Sequence, residues 1–220
     1  MKLLELFSGT GSVGTVASAL KWDVVSLDLK GADINCDDDL QSSSRLCRDI
    51  LQWKYKKYPV KYWDMIWASS PCVEYSIAKQ TGVRKIEQAN EIVMKTLEII
   101  KYFKPRVWFI ENPQTGLLKK QPFMEGLPFF DIDYCKYGMP YRKRTRLWTN
   151  LENWTPRPLC KKDCDSMDGN RHKETAQRAP SGKKENWKEN YTLFKQRDLY
   201  RIPQALVEEI MTAVNVVCFR

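Results

Sequence analysis

The chain has 220 residues, 43% of them hydrophobic and 29% charged, which is enough for one full core and a small appendage. Its 36 basic and 27 acidic residues give a net charge of +9, which fits a polyanionic partner and an inert basic surface equally well. No run of about 18 apolar residues occurs and Glu5 interrupts the apolar N-terminus, so we expect no membrane-spanning helix, no secretion and reduced cysteines.

Short apolar runs alternate with amphipathic ones from Met1 to about Asn150, a pattern that predicts βαβ units, an α/β fold and a mostly parallel sheet. Two helices are predicted, one after a glycine turn to about Leu20 and one over Glu91–Phe103, where Lys104-Pro105 ends it. The predicted strands are Leu3–Phe7, Val24–Leu29, Asp64–Ser69 and Val107–Ile110.

The composition changes at about Thr155, and from there to Asn190 the chain has no Ile or Val and a single Leu. Such a segment cannot build its own core, so we expect a loop-rich insert that rests on other structure. A last helix is predicted from Pro203. The expected organisation is a main domain over 1–150, a small insert over 151–199, and a C-terminal helix over 200–220 that returns to the first domain.

The segment FSGTGSVG follows the first predicted strand and opens a helix. Gly9 and Gly11 permit a tight turn and a close backbone approach to a ligand. Asp28 ends the next strand, where a carboxylate can accept both ribose hydroxyls of a nucleoside cofactor. Gly14 completes the letter pattern of a dinucleotide site as well, so this segment alone leaves NAD, S-adenosylmethionine and a plain glycine turn open.

Three further stretches place reactive side chains at predicted strand ends. Cys72 follows DMIWAS, Glu111 follows VWFI, and Arg144 and Arg146 share one face of a predicted strand in YRKRTRLW. A thiolate nucleophile, a carboxyl general acid and paired guanidiniums would suit one reaction centre. Taken singly, a small buried thiol, a solvated turn and a basic surface strand explain them too.

In this order, LFSGTGSVG, SSPC, IENP and RKRTR resemble motifs of the cytosine-C5 DNA methyltransferases. CRDI and YRIPQALVEEI are similar to the third and the closing motif of that family, so the resemblance covers about residues 1–150 and 199–215. It implies a Rossmann-like, S-adenosylmethionine-dependent methyltransferase fold, double-stranded DNA as partner, and a target cytosine flipped out of the stack. It also implies that 1–150 is the catalytic and cofactor-binding domain and that 151–199 is a small target-recognition-like insert. We expect a monomer, inside a bacterial or virus-infected cell or a nucleus.

The resemblance also implies roles for single residues. Cys72 would attack C6 of cytosine and Glu111 would protonate N3. Arg146 would bind the O2 carbonyl, Arg144 would help to place Cys72, and Val73–Asn90 would be a mobile loop that closes over the base. The residues expected to bind the cofactor are Phe7, Gly9, Thr10, Gly11, Asp28, Leu29, Asp49, Ile50 and Pro71.

The sequence departs from the family pattern at several positions. Glu5 replaces the usual aspartate of the first strand, Leu29 a common aromatic, Pro113 a common valine, and Arg142 a glutamine. The region available for target recognition is short, so few side chains can read bases and we expect a target of about two to three base pairs.

Cys160, Cys164 and His172 form the pattern C-x3-C-x7-H inside the insert, which predicts a structural zinc site. Cys135 and an aspartate such as Asp168 are candidates for the fourth ligand, and two separate thiols with a solvated histidine are the alternative. Basic and aromatic residues of the insert suit DNA contact or a solvated loop: Trp154, Arg157, Lys161, Lys162, Arg171, Lys173, Arg178, Lys183, Lys184, Trp187 and Lys188.

Three other functions remain open at this point. The substrate could be tRNA, as in one branch of the family, and the short insert suits that reading. A catalytically inactive, DNA-binding relative would be expected to have lost Cys72 or Glu111, and both are present. A dinucleotide-dependent enzyme is suggested by the glycine spacing alone and leaves Cys72, Glu111 and Arg146 without a role.

Overall fold

The computed structural model describes residues 1–29, 45–176 and 196–218. Its centre is a seven-stranded sheet with the order β3-β2-β1-β4-β5-β7-β6, in which only β7 runs antiparallel to its neighbours β5 and β6. The strands are β1 (Lys2–Leu6), β2 (Asp23–Asp28), β3 (Arg45–Cys47), β4 (Met65–Ala68), β5 (Val107–Pro113), β6 (Phe129–Asp133) and β7 (Arg144–Thr149). The predicted α/β class with a mostly parallel sheet is confirmed.

Helices cover both faces of this sheet and make a three-layer sandwich. They are α1 (Ser12–Ala19), α2 (Ile86–Phe103), the single turn α3 (Gln196–Leu199) and α4 (Gln204–Cys218). α1 and α4 lie in one core cluster with the β1 residue Leu3, and α2 lies in the other with Leu4. Because both faces are covered, β4 has only buried residues and reads as a continuous apolar run. Among the described residues, no helix combines the length and apolar character needed to cross a membrane.

Element bounds differ from the predicted ones at two places that matter for the site. α2 begins at Ile86, five residues before the predicted start at Glu91, because Ile86 and Ala89 pack against the core while polar neighbours face solvent. β5 continues through Glu111 to Pro113 instead of ending at Ile110, since its residues from Phe109 to Pro113 pair with β7. Glu111 is therefore a strand residue, and its pairing with β7 fixes the sheet face on which its side chain lies.

The insert packs its first residues onto the main core. Leu151 and Trp154 are buried in the same cluster as α4, and Trp154 Nε1 donates a hydrogen bond to Glu209 at 3.1 Å. The suggested DNA contact by Trp154 is therefore wrong, since its ring is only 4% exposed. Further along the insert lies a small β-hairpin whose strands have two residues each, β8 (Met167–Asp168) and β9 (Arg171–His172). Residues Arg178, Lys183, Lys184, Trp187 and Lys188 lie outside the described ranges.

Candidate active site

A cavity of about 730 Å³ opens at the carboxyl ends of β1, β2, β4 and β5. This edge is where open α/β sheets bind ligands. The cavity brings together seven of the predicted site residues: Phe7, Gly9, Thr10, Asp28, Pro71, Cys72 and Glu111. The lining also includes residues that the sequence had not assigned to the site, among them Glu5 and Lys143. Predicted cofactor and reaction groups thus share one pocket.

The glycine loop between β1 and α1 has an unusual backbone. Phe7, Gly9 and Gly11 have φ values of 58°, 48° and 69°, in the left-handed region that favours glycine. Gly9 N donates a hydrogen bond of 2.8 Å to Asp28 Oδ2, so the loop and the end of β2 hold each other. A side chain at Gly11 would also press on the Arg45 guanidinium, 3.0 Å from a Cβ at that position.

Glu5, a residue of β1, holds the first turn of α1 in place. Its carboxylate accepts hydrogen bonds from Val13 N at 3.2 Å and from Ser26 Oγ at 2.8 Å, and the residue is 2% exposed. A Cβ at Gly14 would lie 2.6 Å from Glu5 Oε2, which explains the glycine there. Burial raises the pKa of the Glu5 carboxyl above its ordinary value of 4.5, against the lowering effect of its hydrogen bonds.

We expect the Glu5→Gln variant to gain stability relative to the wild type as pH rises from about 4.5 towards 8. A raised pKa in the folded state means that the neutral carboxyl favours folding below the ordinary pKa, and that this contribution is lost as pH rises through the folded-state value. A glutamine amide can accept from Val13 N and donate to Ser26 without charging. Urea unfolding of both proteins across this pH range measures the difference, and a difference that shrinks with rising pH would contradict the expectation.

Cys72 lies in the turn after β4, beside Glu111. The turn is anchored by Asn112, whose Nδ2 donates to Ser70 O at 2.9 Å. Burial raises the pKa of the Cys72 thiol, the Glu111 charge raises it further, and the Lys143 charge lowers it. Burial and the Glu111 charge therefore oppose the thiolate form of Cys72, and the Lys143 charge favours it.

Tyr134 supports Glu111 from the 3-10 turn Tyr134–Tyr137 that follows β6. Its hydroxyl donates to Glu111 Oε1 at 3.2 Å, and the tyrosine is fully buried. Burial and the Glu111 charge raise the pKa of Tyr134 well above its ordinary value, so it remains a donor. This hydrogen bond holds Oε1 of Glu111 and thereby fixes where Oε2 points.

Arg144 and Arg146 do not line the described cavity. β5 pairs Glu111 with Leu147 and Asn112 with Arg146, and directly paired residues share a sheet face, so Arg146 lies on the opposite face from Glu111. Asp133 binds Arg144 through two hydrogen bonds of 3.0 and 2.7 Å. Two further carboxylate bonds of 2.7 and 2.9 Å bind Arg146 to Asp131. This placement differs from the expected contact of Arg146 with the base.

Lys143 is the basic residue that lines the cavity with Cys72 and Glu111. Its Nζ donates to Leu199 O at 3.0 Å and lies 5.0 Å from the Tyr134 ring centroid. Lys143 lies within the RKRTR motif, but the family resemblance gave roles in the site only to the arginines Arg144 and Arg146. A one-residue difference in register exchanges the two faces of a strand.

The segment after Cys72 is held by its own charges. Lys79 Nζ binds the Glu74 carboxylate at 2.6 Å, and Arg84 donates to the carbonyl oxygens of Glu74 and Ser76. Both cations are therefore engaged within the segment, while its apolar Val83 is 88% exposed. Residues 86–90 of the expected mobile loop belong to α2.

The cavity is completed by the chain that precedes α4. Tyr200 and Ile202 line it, and Ile202 N donates to Ser12 Oγ at 3.3 Å, which agrees with the closing role expected for this motif. The remaining predicted cofactor residues are not in the lining of the described cavity: Gly11, Leu29, Asp49 and Ile50. Leu29 is 68% exposed, Ile50 is buried in the α2-side core, and Asp49 Oδ1 accepts a hydrogen bond from Leu51 N at 2.9 Å.

Comparison with known proteins identifies the family of this chain. The family model described as C-5 cytosine-specific DNA methylase matches residues 1–122. A protein of Frog virus 3 (isolate Goorha), named "Probable DNA (cytosine-5)-methyltransferase", is 30% identical over 233 residues, which cover 96% of this chain and 99% of the relative.

Two solved structures share the fold at low sequence identity. An E. coli protein encoded within a prophage and assigned as a DNA modification methyltransferase is 16% identical, with a TM-score of 0.51 over 73% of this chain and 52% of its own. The S. pombe Dnmt2 methyltransferase is 13% identical, with a TM-score of 0.51 over 76% of this chain and 59% of its own. This chain therefore matches little more than half the length of either structure. The family match and the viral relative together show that the chain belongs to the C-5 cytosine-specific DNA methylases, the DNA (cytosine-5)-methyltransferases.

Proposed function

We propose that this protein transfers a methyl group from S-adenosylmethionine to C5 of a flipped cytosine in double-stranded DNA, through a covalent adduct with Cys72. The observation that carries the proposal is one cavity lined by the glycine loop, Asp28, Cys72 and Glu111. The 96% coverage by a relative named as a DNA (cytosine-5)-methyltransferase supports DNA as the substrate.

The residues present fit S-adenosylmethionine. The cavity of about 730 Å³ lies within the range of roughly 300–1,000 Å³ that is usual for small-molecule sites. Asp28 is placed to accept ribose hydroxyls, and a ligand can approach the Gly9 backbone closely because no Cβ is present. Among the described residues, the buried Ser70 Oγ has no hydrogen-bond partner, and Ser70 lines the same cavity. When bound, this cofactor supplies an electrophilic methyl group on a sulfonium.

Cytosine C5 is a poor nucleophile until C6 carries an adduct. In the proposed reaction the Cys72 thiolate forms a bond to C6, and Glu111 donates a proton to N3, so that C5 becomes an enamine carbon. C5 then accepts the methyl group. A base removes the C5 proton, the Sγ–C6 bond breaks, and N3 returns its proton to Glu111, which releases 5-methylcytosine and the thiolate. Tyr134 holds Glu111 Oε1, so we assign the N3 contact to Oε2.

We assign the cationic role beside the reacting ring to Lys143. Its charge lowers the pKa of Cys72 and it shares the cavity with the thiol, whereas Arg146 is bound by Asp131 on the other face of the sheet. Arg144 and Arg146 then act as positioning residues that tie β6 to β7. In chain order, we propose a catalytic domain over 1–150, a recognition insert over 151–199 and a closing segment over 200–220.

We expect tritium from methyl-labelled S-adenosylmethionine to enter duplex DNA and not tRNA, because the viral relative is named for DNA and the site can bind a flipped base. Nuclease digestion and chromatography of the product should place the label in 5-methylcytosine. Labelling of tRNA alone would make tRNA the substrate. Cofactor binding without label in either polymer would favour a catalytically inactive relative.

A further inference from the structure

Four side chains that suit a metal ion lie together beside the end of β6. Cys135 comes from the turn after that strand, Cys160 and Cys164 from the insert, and His172 from β9. Their ligand atoms all lie within 4.8 Å of one another, and Cys160 Sγ is 3.5 Å from His172 Nε2. We propose that Cys135, Cys160, Cys164 and His172 bind one structural zinc ion.

The geometry favours a metal over a disulfide. Tetrahedral Zn–S bonds of about 2.3 Å put neighbouring ligand atoms roughly 3.7 Å apart, so a cluster already within 4.8 Å closes on zinc by small movements. A disulfide would use two of the three thiols and leave the third thiol and the imidazole without a function. Soft thiolates with one imidazole are a zinc donor set. The described cysteines of this cluster are free.

The loop from Cys160 to Cys164 is built around the sulfur. Lys162 N donates to Cys160 Sγ at 3.3 Å, and Lys162 has a φ of 68°, which turns the chain back on itself. The β8–β9 hairpin, with Gly169 at φ 55°, brings His172 opposite Met167. A backbone N–H directed at a thiolate and a tight hairpin that returns a histidine are what a small metal-stapled segment needs, because it has no apolar core.

Charge at the cluster can be balanced. Zinc binding forms three Zn–S bonds and one Zn–N bond, replaces up to three thiol protons and releases them to solvent, and leaves a net charge of −1. Basic residues adjoin the ligands in the chain, since Lys136 follows Cys135 and Lys161 and Lys162 follow Cys160. These cations favour the anionic metal site over a bare cluster of neutral thiols.

The metal would fix the segment that supports the catalytic groups. Asp133 accepts from Cys160 N at 3.0 Å and also binds Arg144, while Tyr134 donates to Glu111 and Cys135 is a ligand. Asp133, Tyr134 and Cys135 are consecutive, and together they connect the insert to β7, to the Glu111 carboxyl and to the metal. This consequence rests on the proposed function, whereas the metal site itself does not.

The first test uses the unaltered protein. Elemental analysis after gel filtration should find one zinc per chain. Maleimide labelling followed by peptide mass spectrometry should find Cys135, Cys160 and Cys164 protected until a chelator is added. Cobalt(II) added to the chelated protein should restore that protection and give the charge-transfer absorption of thiolate ligands. No zinc above the buffer level with the three thiols labelled at once, or a disulfide within the cluster, would overturn the proposal.

A matched pair of variants separates this cluster from other thiols. Cys164→Ser removes a half-buried ligand and should weaken zinc binding by at least about 100-fold. Cys47→Ser removes a thiol in β3, outside the cluster, and should retain one zinc per chain. Equal zinc content in both variants would overturn the ligand assignment. If Cys164→Ser fails to fold, the labelling of the unaltered protein still decides.

Discussion

Replacing Cys72 with alanine is expected to lower the rate of methyl transfer by about 10³-fold or more, a barrier increase of roughly 4 kcal/mol. Without the thiolate no bond to C6 forms, and C5 stays an unreactive aromatic carbon. The cofactor pocket should remain, because Cys72 contributes only one side chain to a lining formed mainly by the glycine loop and strand ends. The variant should therefore bind S-adenosylmethionine while failing in catalysis.

Covalent trapping measures this directly. Duplex DNA with 5-fluorocytosine carries fluorine where the leaving proton should be, so the adduct cannot eliminate and survives denaturation. Mass spectrometry should show it for the unaltered protein and for Cys47→Ala, which removes a thiol that does not line the cavity, but not for Cys72→Ala. An adduct that persists in Cys72→Ala would rule out this nucleophile. If neither the unaltered protein nor Cys47→Ala forms an adduct while both bind the cofactor, the result would count against DNA as the substrate.

Lys143→Met is expected to slow methyl transfer by about 10²-fold, roughly 2.7 kcal/mol in the barrier. Removal of this cation takes away the charge that lowers the pKa of Cys72 and leaves burial and Glu111, both of which raise it. The pH midpoint of Cys72 alkylation by iodoacetamide should move upward. In Glu111→Gln the carboxylate charge is gone, so the midpoint should move downward.

Arg146→Met is the matched comparison, because it removes a nearby cation that lies in β7, on the sheet face opposite to Glu111. Loss of its guanidinium leaves the Asp131 carboxylate, which is 20% exposed, without its partner. We therefore expect the free energy of unfolding to fall by about 1–3 kcal/mol. The alkylation midpoint of Cys72 should not change. If Arg146→Met abolishes adduct formation at unchanged stability while Lys143→Met retains it, the base contact belongs to Arg146.

Much of this protein could be read from local sequence. Alternation of apolar runs and helical periods determined the α/β class, because strands covered on both faces need continuous apolar residues. Cys72 and Asp28 could be assigned to one edge since both follow strands of a parallel sheet, whose carboxyl ends meet there. The lack of Ile and Val after Thr155 likewise determined that the insert depends on other structure.

Only the tertiary structure decided which side chains meet. The register of β7 against β5 set Arg146 on the face away from Glu111 and left Lys143 in the cavity, and local sequence does not contain a pairing register. Cys135 joined Cys160 only through the path of β6 and the insert, 25 positions apart in the chain. Trp154 reads as a surface aromatic in a polar segment, yet α4 provides the apolar face that buries it. In each case the deciding contact is between residues far apart in sequence, so it exists only after the chain has folded.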